Sequence, residues 1–458
     1  MGTALVPGIH LLSAVQDTIY STKEMVVQVV DAEGHARPGI AVRFETLPDT
    51  AALFRGFRGA PIDTRSGLPA RWVTDTTDRN GRAAVSLAFE GIAGVGSVLV
   101  ASAELGYADT LQYTVMPGAA ADLVIEPTDT AVYADRAFTL RAAVRDRAGN
   151  PRTDGGIAFS TVSGPVSVNG STGGGTGTAI GRGAVVASWK GHEDTARISV
   201  VPHGVVATLK YDPQNGGPVG IFLSELDGSE QRRIAPGTDN LYTRQGLAWS
   251  ADGRQLVFAR ANRLQILVPG EPERTVAQLS GWTVGEPRVT RDGAWIYFAH
   301  SGSSAQPKGI YRVRMDGSEL TPVASYWPEY MPSPSPDGRY LAFVSERTPC
   351  GMASCVRILD VAAGHDTDFF IYGTHVAWSP VANRVAVGSD TRVVIAAPDG
   401  SIERVLMEGS FRMHWMEWSP DGRWLIVSDE HLTLIDTQTG MLLPLPSALA
   451  FGPTAWRP

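Results

Sequence analysis

The feature that most constrains the fold of this chain is a phrase that recurs every forty or so residues in its second half. The fullest copy reads Trp418-Ser-Pro-Asp-Gly-Arg-Trp-Leu-Ile-Val427. The copies are anchored at six positions, which are Trp249, Val289, Pro334, Trp378, Trp418 and Trp456. A repeat of about this period is typical of β-propeller blades, each a small antiparallel sheet in a closed ring. The sequence therefore predicts an all-β region of six blades.

Each copy also indicates its own strands and turns. An apolar pair, an Asp-Gly turn and a second apolar run predict a hairpin, and a later Gly-containing turn adds the rest of a four-stranded blade. The copy at Trp456 supplies only one strand, whereas three strands without a partner lie at 205–211, 219–226 and 232–235. We predict that the C-terminal strand joins these three strands and closes the ring, because closure removes an exposed sheet edge.

The turns of the repeat raise one question about function. Four of them carry an Asp, namely Asp252, Asp292, Asp337 and Asp421. These carboxylates could form a ring, but an Asp before Gly more often accepts hydrogen bonds within its own turn, and we favour that interpretation. Two turns are expected to differ from the rest: the one after Val289, where Val-Thr-Arg replaces Trp-Ser-Pro, and the one at Val381-Ala382, which replace Asp-Gly.

Residues 203–458 resemble the six-bladed propellers of the TolB type, whose blades carry Trp-Ser-Pro-Asp-Gly followed by Lys or Arg. The resemblance implies a protein that binds protein partners, such as subunits of an envelope or membrane complex. It also implies a location in the bacterial periplasm or at the outer cell surface. The motif is specific for the fold and not for an activity, because propellers serve many functions.

The first two hundred residues follow a different pattern, in which strands of alternating polarity are separated by Gly-rich turns. The run Val30-Asp-Ala-Glu-Gly34 and a degenerate second copy ending at Asn150-Pro151 resemble the bacterial immunoglobulin-like domains of the invasin and intimin type. We therefore predict three domains: two immunoglobulin-like β-sandwiches at 1–117 and 118–202, and the propeller at 203–458.

Composition limits the classes of partner. A net charge of −8 argues against a surface that neutralises the phosphates of DNA or RNA. No run of eighteen apolar residues predicts a membrane span, which leaves peripheral membrane association open. No secretory signal is visible either, so an envelope location implies a signal or lipid anchor that this sequence does not contain.

The two cysteines, Cys350 and Cys355, lie close together in one segment of the third blade. A disulfide that braces this segment fits an oxidising compartment, and a pair of free thiols is the alternative. A metal site needs more ligands than two thiolates supply. We expect no metal and no cofactor.

The segments that lead from the last strand of one blade to the first strand of the next are rich in aromatic residues. Such segments gather on one face of a propeller, and Tyr and Trp bury much surface at low entropic cost. The predicted partner-binding residues on this face are Tyr242, Trp282, Tyr326, Trp327, Tyr330, Tyr372 and Phe411. The alternative is that some of these rings pack between blades.

Polar residues of the same segments are expected near the mouth of the central channel. They are Glu286, Glu329, His375 and His414. Such a group could bind a metal or act as acid and base in a propeller lyase, or it could simply line the channel. A serine peptidase is excluded because the chain contains no Gly-x-Ser-x-Gly elbow.

These observations favour a non-enzymatic interaction or scaffold protein of the cell envelope. The propeller face is the expected docking platform, and the two sandwiches are the expected spacer or a second docking arm. A surface adhesin that recognises a host protein or a glycan is one alternative. A lyase with a metal at the channel mouth is the other.

Overall fold

The computed structural model describes residues 7–47, 58–211, 218–236, 246–281, 283–303, 305–325, 328–347, 354–367, 369–429, 431–446, 449 and 453–458. Every regular element in these ranges that extends over more than one residue is a β-strand. Within the same ranges, no helix reaches the length and apolar character that a membrane span requires.

The N-terminal unit contains two sheets that share one core. Its strands are β1 (Gly8–Leu11), β2 (Val15–Thr18), β3 (Thr22–Val30), β4 (Ala41–Thr46), β5 (Gly59–Pro61), β6 (Trp72–Thr76), β7 (Arg82–Phe89), β8 (Gly94–Ser102) and β9 (Tyr107–Met116). The sheet orders are β1-β3-β7-β5 and β2-β9-β8-β4-β6. Alternate residues of β7 are buried, as expected for a strand with one apolar face. Met25 of the first sheet and Phe44 of the second belong to the same buried cluster.

The middle unit has a separate core. Its strands are β10 (Ala120–Glu126), β11 (Asp129–Tyr133), β12 (Ala137–Thr139), β13 (Arg141–Asp146), β14 (Pro151–Arg152), β15 (Ala158–Ser163), β16 (Val166–Val168), β17 (Gly174–Gly177), β18 (Gly181–Trp189) and β19 (His192–Val201). Three sheets are described, with orders β10-β13-β14, β11-β19-β18-β15 and β12-β17-β16. Ile125, Leu140 and Ile198 come from or lie beside different sheets and pack in one cluster.

The remaining strands form a propeller. They are β20 (Val205–Tyr211), β21 (Pro218–Glu225), β22 (Arg232–Pro236), β23 (Leu247–Trp249), β24 (Leu256–Arg260), β25 (Arg263–Leu267), β26 (Arg274–Gln278), β27 (Val284–Val289), β28 (Trp295–His300), β29 (Gly309–Arg314), β30 (Thr321–Ser325), β31 (Glu329–Pro334), β32 (Tyr340–Ser345), β33 (Cys355–Asp360), β34 (His365–Asp366), β35 (Ile371–Tyr372), β36 (His375–Trp378), β37 (Val385–Gly388), β38 (Arg392–Ala396), β39 (Ile402–Glu408), β40 (Trp415–Trp418), β41 (Trp424–Ser428), β42 (Leu432–Asp436), β43 (Leu442–Pro444) and β44 (Thr454–Trp456).

Five consecutive sheets of the propeller, called the first to fifth sheets below, are β23–β26, β27–β30, β31–β35, β36–β39 and β40–β43. The sheet that remains, the closing sheet, has the order β22-β21-β20-β44. It pairs the C-terminal strand with the first propeller strand, with Val206 opposite Trp456. This pairing of distant segments is the closure that the sequence predicts, and it protects strand edges that would otherwise be exposed.

Two Trp residues of the repeated phrase, Trp249 and Trp418, fasten one sheet to its neighbour, whereas the indole nitrogen of Trp378 is buried without a hydrogen-bond partner. The Nε1 of Trp249 donates to the carbonyl oxygen of Ala455 in the closing sheet, at 3.2 Å. In the same way, Trp418 donates to Ala377 of the fourth sheet at 2.9 Å. A buried indole N–H needs an acceptor, so each bond satisfies a polar atom and fixes the distance between two sheets.

The Asp of the repeated phrase stabilises its own turn, as predicted. Asp252 accepts hydrogen bonds from the Ser250 hydroxyl at 2.6 Å and from the Arg254 amide at 3.1 Å. The turn after Val289 is built in the same way, because the Thr290 hydroxyl donates to Asp292 at 2.5 Å. The expectation that this turn would differ was therefore wrong: either hydroxyl residue can serve as donor.

The joint between the N-terminal and middle units is made by two polar side chains of the middle unit. Asp146 accepts a hydrogen bond from the backbone N–H of Gly118 at 2.8 Å. Asn150 donates to the carbonyl oxygen of Gly91 and accepts from the N–H of Ala93, both at 2.9 Å. Because the amide bonds two backbone groups of the N-terminal unit, the two units are held in one orientation.

The joint between the middle unit and the propeller is built around Tyr133. Its hydroxyl donates to Glu225 at 2.6 Å and accepts from the N–H of Leu226 at 2.9 Å. Burial, reinforced by the hydrogen bond to Glu225, raises the pKa of Tyr133 well above its usual value. The ring belongs to a buried cluster that includes Trp424 and Leu434 of the fifth sheet. The middle unit and the propeller therefore share part of their core.

Candidate functional site

The first strands of the second and third sheets are irregular at corresponding positions. The register of β27 shifts between Gly285 and Arg288, and that of β31 shifts between Tyr330 and Ser333. In each case a residue with positive φ, Glu286 (54°) or Met331 (51°), precedes a proline. Proline cannot donate to a sheet, so the ladder is interrupted there, and a bulge of this kind redirects nearby side chains.

The two bulges are joined by a direct contact. The carboxylate of Glu286 accepts a hydrogen bond from the backbone N–H of Met331 at 2.6 Å. Glu286 is almost fully buried, so the bond is shielded from water. It ties the start of the third sheet to the second sheet.

Two adjacent residues at the start of β31 hold both ends of the segment between β32 and β33. The carboxylate of Glu329 lies 2.8 Å from the Nε of Arg347, which follows β32. The hydroxyl of Tyr330 lies 2.7 Å from the hydroxyl of Ser354, which precedes β33. Residues 348–353 between these anchors lie outside the described residues. One strand end therefore fixes the entry and the exit of this segment.

Glu329 belongs to a small network of charges. Arg347 also contacts Asp366 at 3.0 Å, and Arg357 contacts the same carboxylate at 2.7 Å. Burial raises the pKa of Glu329 to about 7, although the positive charge of Arg347 opposes the rise. Only Oε1 of Glu329 faces Arg347, and Oε2 is buried without a hydrogen-bond partner.

His300, at the end of β28, is the second buried residue with an unused polar atom. Its Nδ1 lies 3.1 Å from the carbonyl oxygen of Thr283. A carbonyl accepts, so Nδ1 carries the proton and Nε2 is an acceptor. Burial lowers the pKa of His300, which favours this neutral form. Nε2 is buried and has no hydrogen-bond partner.

The unused atoms belong to residues that line one pocket between the second and third sheets. Its volume is about 270 Å³. The lining residues are Thr283, Gly285, Ala299, His300, Ser301, Lys308, Pro328, Glu329 and Tyr330. Glu329 is 4% exposed and His300 is 3% exposed. Two residues that line the pocket therefore each carry a buried polar atom without a hydrogen-bond partner.

An exposed aromatic pair lies at the same end of the third sheet. Phe370 and Tyr372 are 36% and 53% exposed, and their ring centroids are 5.1 Å apart. Strand register pairs Glu329 with Ser345, Ser345 with Cys355, and Cys355 with Tyr372. One row of residues thus runs across the sheet from the pocket to the aromatic pair.

The predicted aromatic residues differ in their surroundings. Tyr242, Trp282, Tyr326 and Trp327 lie outside the described residues. Tyr372 is exposed, whereas Phe411 is half-buried against a cluster that contains Met413. Tyr330 is only 9% exposed and is bound to Ser354, so its assignment to an exposed docking surface is corrected. Its position in β31 turns the ring into the core of the third and fourth sheets.

The predicted polar residues are placed in separate surroundings. Glu286 contacts Met331 and Glu329 contacts Arg347. His375 is buried, with Nδ1 3.0 Å from the hydroxyl of Thr374, and His414 is half-buried. Across the described ranges, no three or more His, Cys, Asp or Glu side chains are grouped so that they could hold a metal ion.

Of the two cysteines, Cys355 lies within the described residues. It is the first residue of β33, is fully buried and is disulfide-bonded. Cys350 lies outside the described residues.

Two further cavities were not predicted. One, of about 330 Å³, lies among the repeated phrases and contains the ion pair of Arg288 and Glu417, whose charged atoms are 3.2 Å apart. Burial raises the pKa of Glu417 to about 7. The other, of about 750 Å³, is a cleft between the middle unit and the fifth sheet, lined in part by Arg182 and His431. Both depend on contacts between distant segments.

Comparison with known proteins gives limited matches. No family model matches the chain. A curated relative, the uncharacterized protein Atu1656 of Agrobacterium fabrum, is 29% identical over an alignment of 233 residues that covers 49% of this chain. The match spans 66% of the relative's length, just under two thirds.

Two solved structures illustrate the likeness at the level of coordinates. TolB from Acinetobacter baumannii is 16% identical, with a TM-score of 0.47 over 61% of this chain and 80% of that one. A chain of a nidogen/laminin complex is 11% identical, with a TM-score of 0.44 over 56% of this chain and 99% of that one. The propeller fold of this chain rests on its own sheet order and closure.

Proposed function

We propose that this chain is a non-enzymatic interaction protein of the bacterial cell envelope that docks a protein partner on one face of a six-bladed, TolB-like propeller. The two N-terminal units, interpreted as immunoglobulin-like sandwiches, act as a stiff arm that presents this face. The observation that carries the proposal is the exposed pair of Phe370 and Tyr372, in register with the pocket at Glu329.

The aromatic pair has the character of a docking surface. Both rings contact each other edge to face, which fixes their orientation before any partner arrives. Covering exposed aromatic surface with a partner is favourable in free energy. Tyr in particular is enriched among the residues that contribute most to binding energies. The neighbouring pocket supplies polar groups, and an apolar centre beside polar groups is typical of protein interfaces.

The two joints support the role of a stiff arm. A flexible linker would let the propeller sample many orientations, whereas Asn150 and Tyr133 bond across the two boundaries. When the joints are already fixed, the arm loses less conformational entropy on binding a partner in one orientation. A disulfide at Cys355 fits the oxidising compartment of the envelope.

The test is affinity capture from envelope fractions with intact protein and two double variants. Phe370→Ala with Tyr372→Ala removes the aromatic pair, and Ile402→Ala with Val405→Ala removes comparable exposed apolar residues on β39. We expect a stoichiometric protein partner that is lost from the first variant and kept by the second. Capture that is the same for all three proteins would contradict this docking face. Capture of a glycan or no partner would favour the adhesin or the lyase.

A further inference from the structure

Two residues that line the pocket between the second and third sheets carry a hydrogen-bond acceptor that has no donor. His300 contributes Nε2, which is an acceptor because Nδ1 is committed to the Thr283 carbonyl. Glu329 contributes Oε2, which is likewise unmatched. A buried acceptor without a partner is unfavourable, so two of them on residues of one pocket call for a donor.

Two of the hydroxyl donors among the described lining side chains have partners. The Ser301 hydroxyl donates to the carbonyl oxygen of Thr283 at 3.3 Å, and the Tyr330 hydroxyl is paired with Ser354. Lys308 is exposed and lies on the solvent side. The lining therefore does not satisfy the two acceptors from within.

We propose that this pocket receives a protonated primary amine of the docked protein, whose ammonium group donates to Oε2 of Glu329 and to Nε2 of His300. The inference rests on the proposed function, in which this face docks a protein. An ammonium group carries three donors and no acceptor, so one such group has enough donors for both atoms. Its source is either a lysine side chain or an amino terminus.

The ion-pair network leaves one oxygen of Glu329 available for such a ligand. The network around Glu329 consists of the carboxylates of Glu329 and Asp366 and the guanidinium groups of Arg347 and Arg357, so it has no net charge when all four are ionised. Arg347 reaches only one oxygen of Glu329. An ammonium group on the other oxygen would hold Glu329 ionised, and hydrogen bonds to charged groups are stronger than those between neutral groups.

The test uses small probes, so that it does not depend on knowing the partner. Binding of Nα-acetyl-lysine methylamide is measured by NMR titration beside its Nε-acetylated form, and alanine methylamide with a free amino group represents an amino terminus. We expect binding of at least one free amine and at least tenfold weaker binding of the acetylated probe. Equal affinity for amine and acetylated probe, or no binding of either amine, would overturn the proposal.

Variants and a soaked crystal locate the site. Glu329→Gln and His300→Phe should each weaken amine binding about tenfold, while Glu403→Gln, which removes an exposed carboxylate of β39, should not. If a variant fails to fold, a crystal of the wild-type protein soaked with the lysine probe decides: an amine in contact with both residues supports the proposal, and only water there overturns it. If the amine probes do not bind but the captured partner still depends on Phe370 and Tyr372, only this inference is wrong. If capture does not depend on these two residues, the proposed function is wrong.

Discussion

The carboxylate of Glu329 lies 2.8 Å from the guanidinium of Arg347, and this contact anchors one end of the segment that carries Cys350. The next residue, Tyr330, anchors the other end through Ser354. The contact is buried on the carboxylate side and half-covered on the guanidinium side. It therefore connects the docking face, the pocket and the fold of the third sheet.

Replacement of Arg347 by Met should leave a buried carboxylate without its cation. We expect the free energy of unfolding to fall by about 3 kcal/mol at pH 8, because removing one partner of a buried pair leaves an uncompensated charge. The loss should be smaller at pH 5, where Glu329 can take up a proton. Chemical denaturation at both pH values measures this.

The control is Arg384→Met, which breaks a largely exposed pair with Glu403 at 3.7 Å and should cost less than about 1 kcal/mol. Equal losses in the two variants, or a loss at Arg347 that does not depend on pH, would show that the pair is not buried as described.

Stability should also depend on the ionisation of Glu329 itself. Burial, opposed by Arg347, raises its pKa from 4.5 to about 7, so the folded chain holds this proton more tightly than the unfolded chain. Its contribution is fully present below pH 4.5 and is lost as the pH rises through about 7. Glu417 acts in the same window and direction.

We expect Glu329→Gln to remove roughly half of the decline in stability between pH 5 and 8, and the double variant with Glu417→Gln to remove most of it. Denaturation midpoints across this range are the measurement. An unchanged slope in both variants would mean that neither carboxyl group is desolvated as the structure indicates.

Tyr133 should couple the middle unit to the propeller. Tyr133→Phe keeps the ring but deletes the hydroxyl that serves Glu225 and the N–H of Leu226. We expect a loss of about 1–3 kcal/mol, the cost of unsatisfied buried partners. Tyr20→Phe, at a ring that is 72% exposed, is the matched control and should change little. A loss of the same size in both variants would remove Tyr133 as the coupling residue.

Asp146 and Asp31 allow a matched test of what makes the N-terminal arm stiff. Both accept two backbone N–H bonds within their own turns, Asp146 from Ala148 and Asn150, and Asp31 from Glu33 and His35. Only Asp146 also bonds the linker, through Gly118. Small-angle scattering of Asp146→Ala should show a larger radius of gyration and a more flexible profile, and Asp31→Ala should match the wild type. Identical curves for all three proteins would mean that this joint does not stiffen the arm.

Local patterns of the sequence predicted the propeller well because five of its sheets are each built from consecutive strands. Ser250 and Asp252 are two residues apart, so their turn is visible in the sequence. The turn at Thr290 was predicted to differ because Val-Thr-Arg stands in place of Trp-Ser-Pro. The Thr290 hydroxyl makes the same hydrogen bond as that of Ser, so the turn is unchanged. Val289 stands where four other copies have Trp, and the turn forms without the indole because it depends on the hydroxyl and the carboxylate.

The site was predicted less completely, for reasons of register. Tyr330 and Tyr372 both flank connecting segments, and only the pairing of their strands shows that one ring is buried and the other exposed. His300 and Arg347 were missed because they lie at or just beyond the ends of the second strands of their sheets. Antiparallel pairing brings the end of a second strand to the start of the first, a signal that could have placed Arg347 beside Glu329 and His300 beside Val284.

The most direct test of the docking face is photo-cross-linking in intact envelopes, with benzoylphenylalanine placed at Tyr372 or, as the control, at Val405, which is similarly exposed on β39. We predict a discrete protein adduct from position 372 and none from position 405. No adduct from position 372, or the same adduct from both positions, would contradict the claim that this face of the propeller docks a partner.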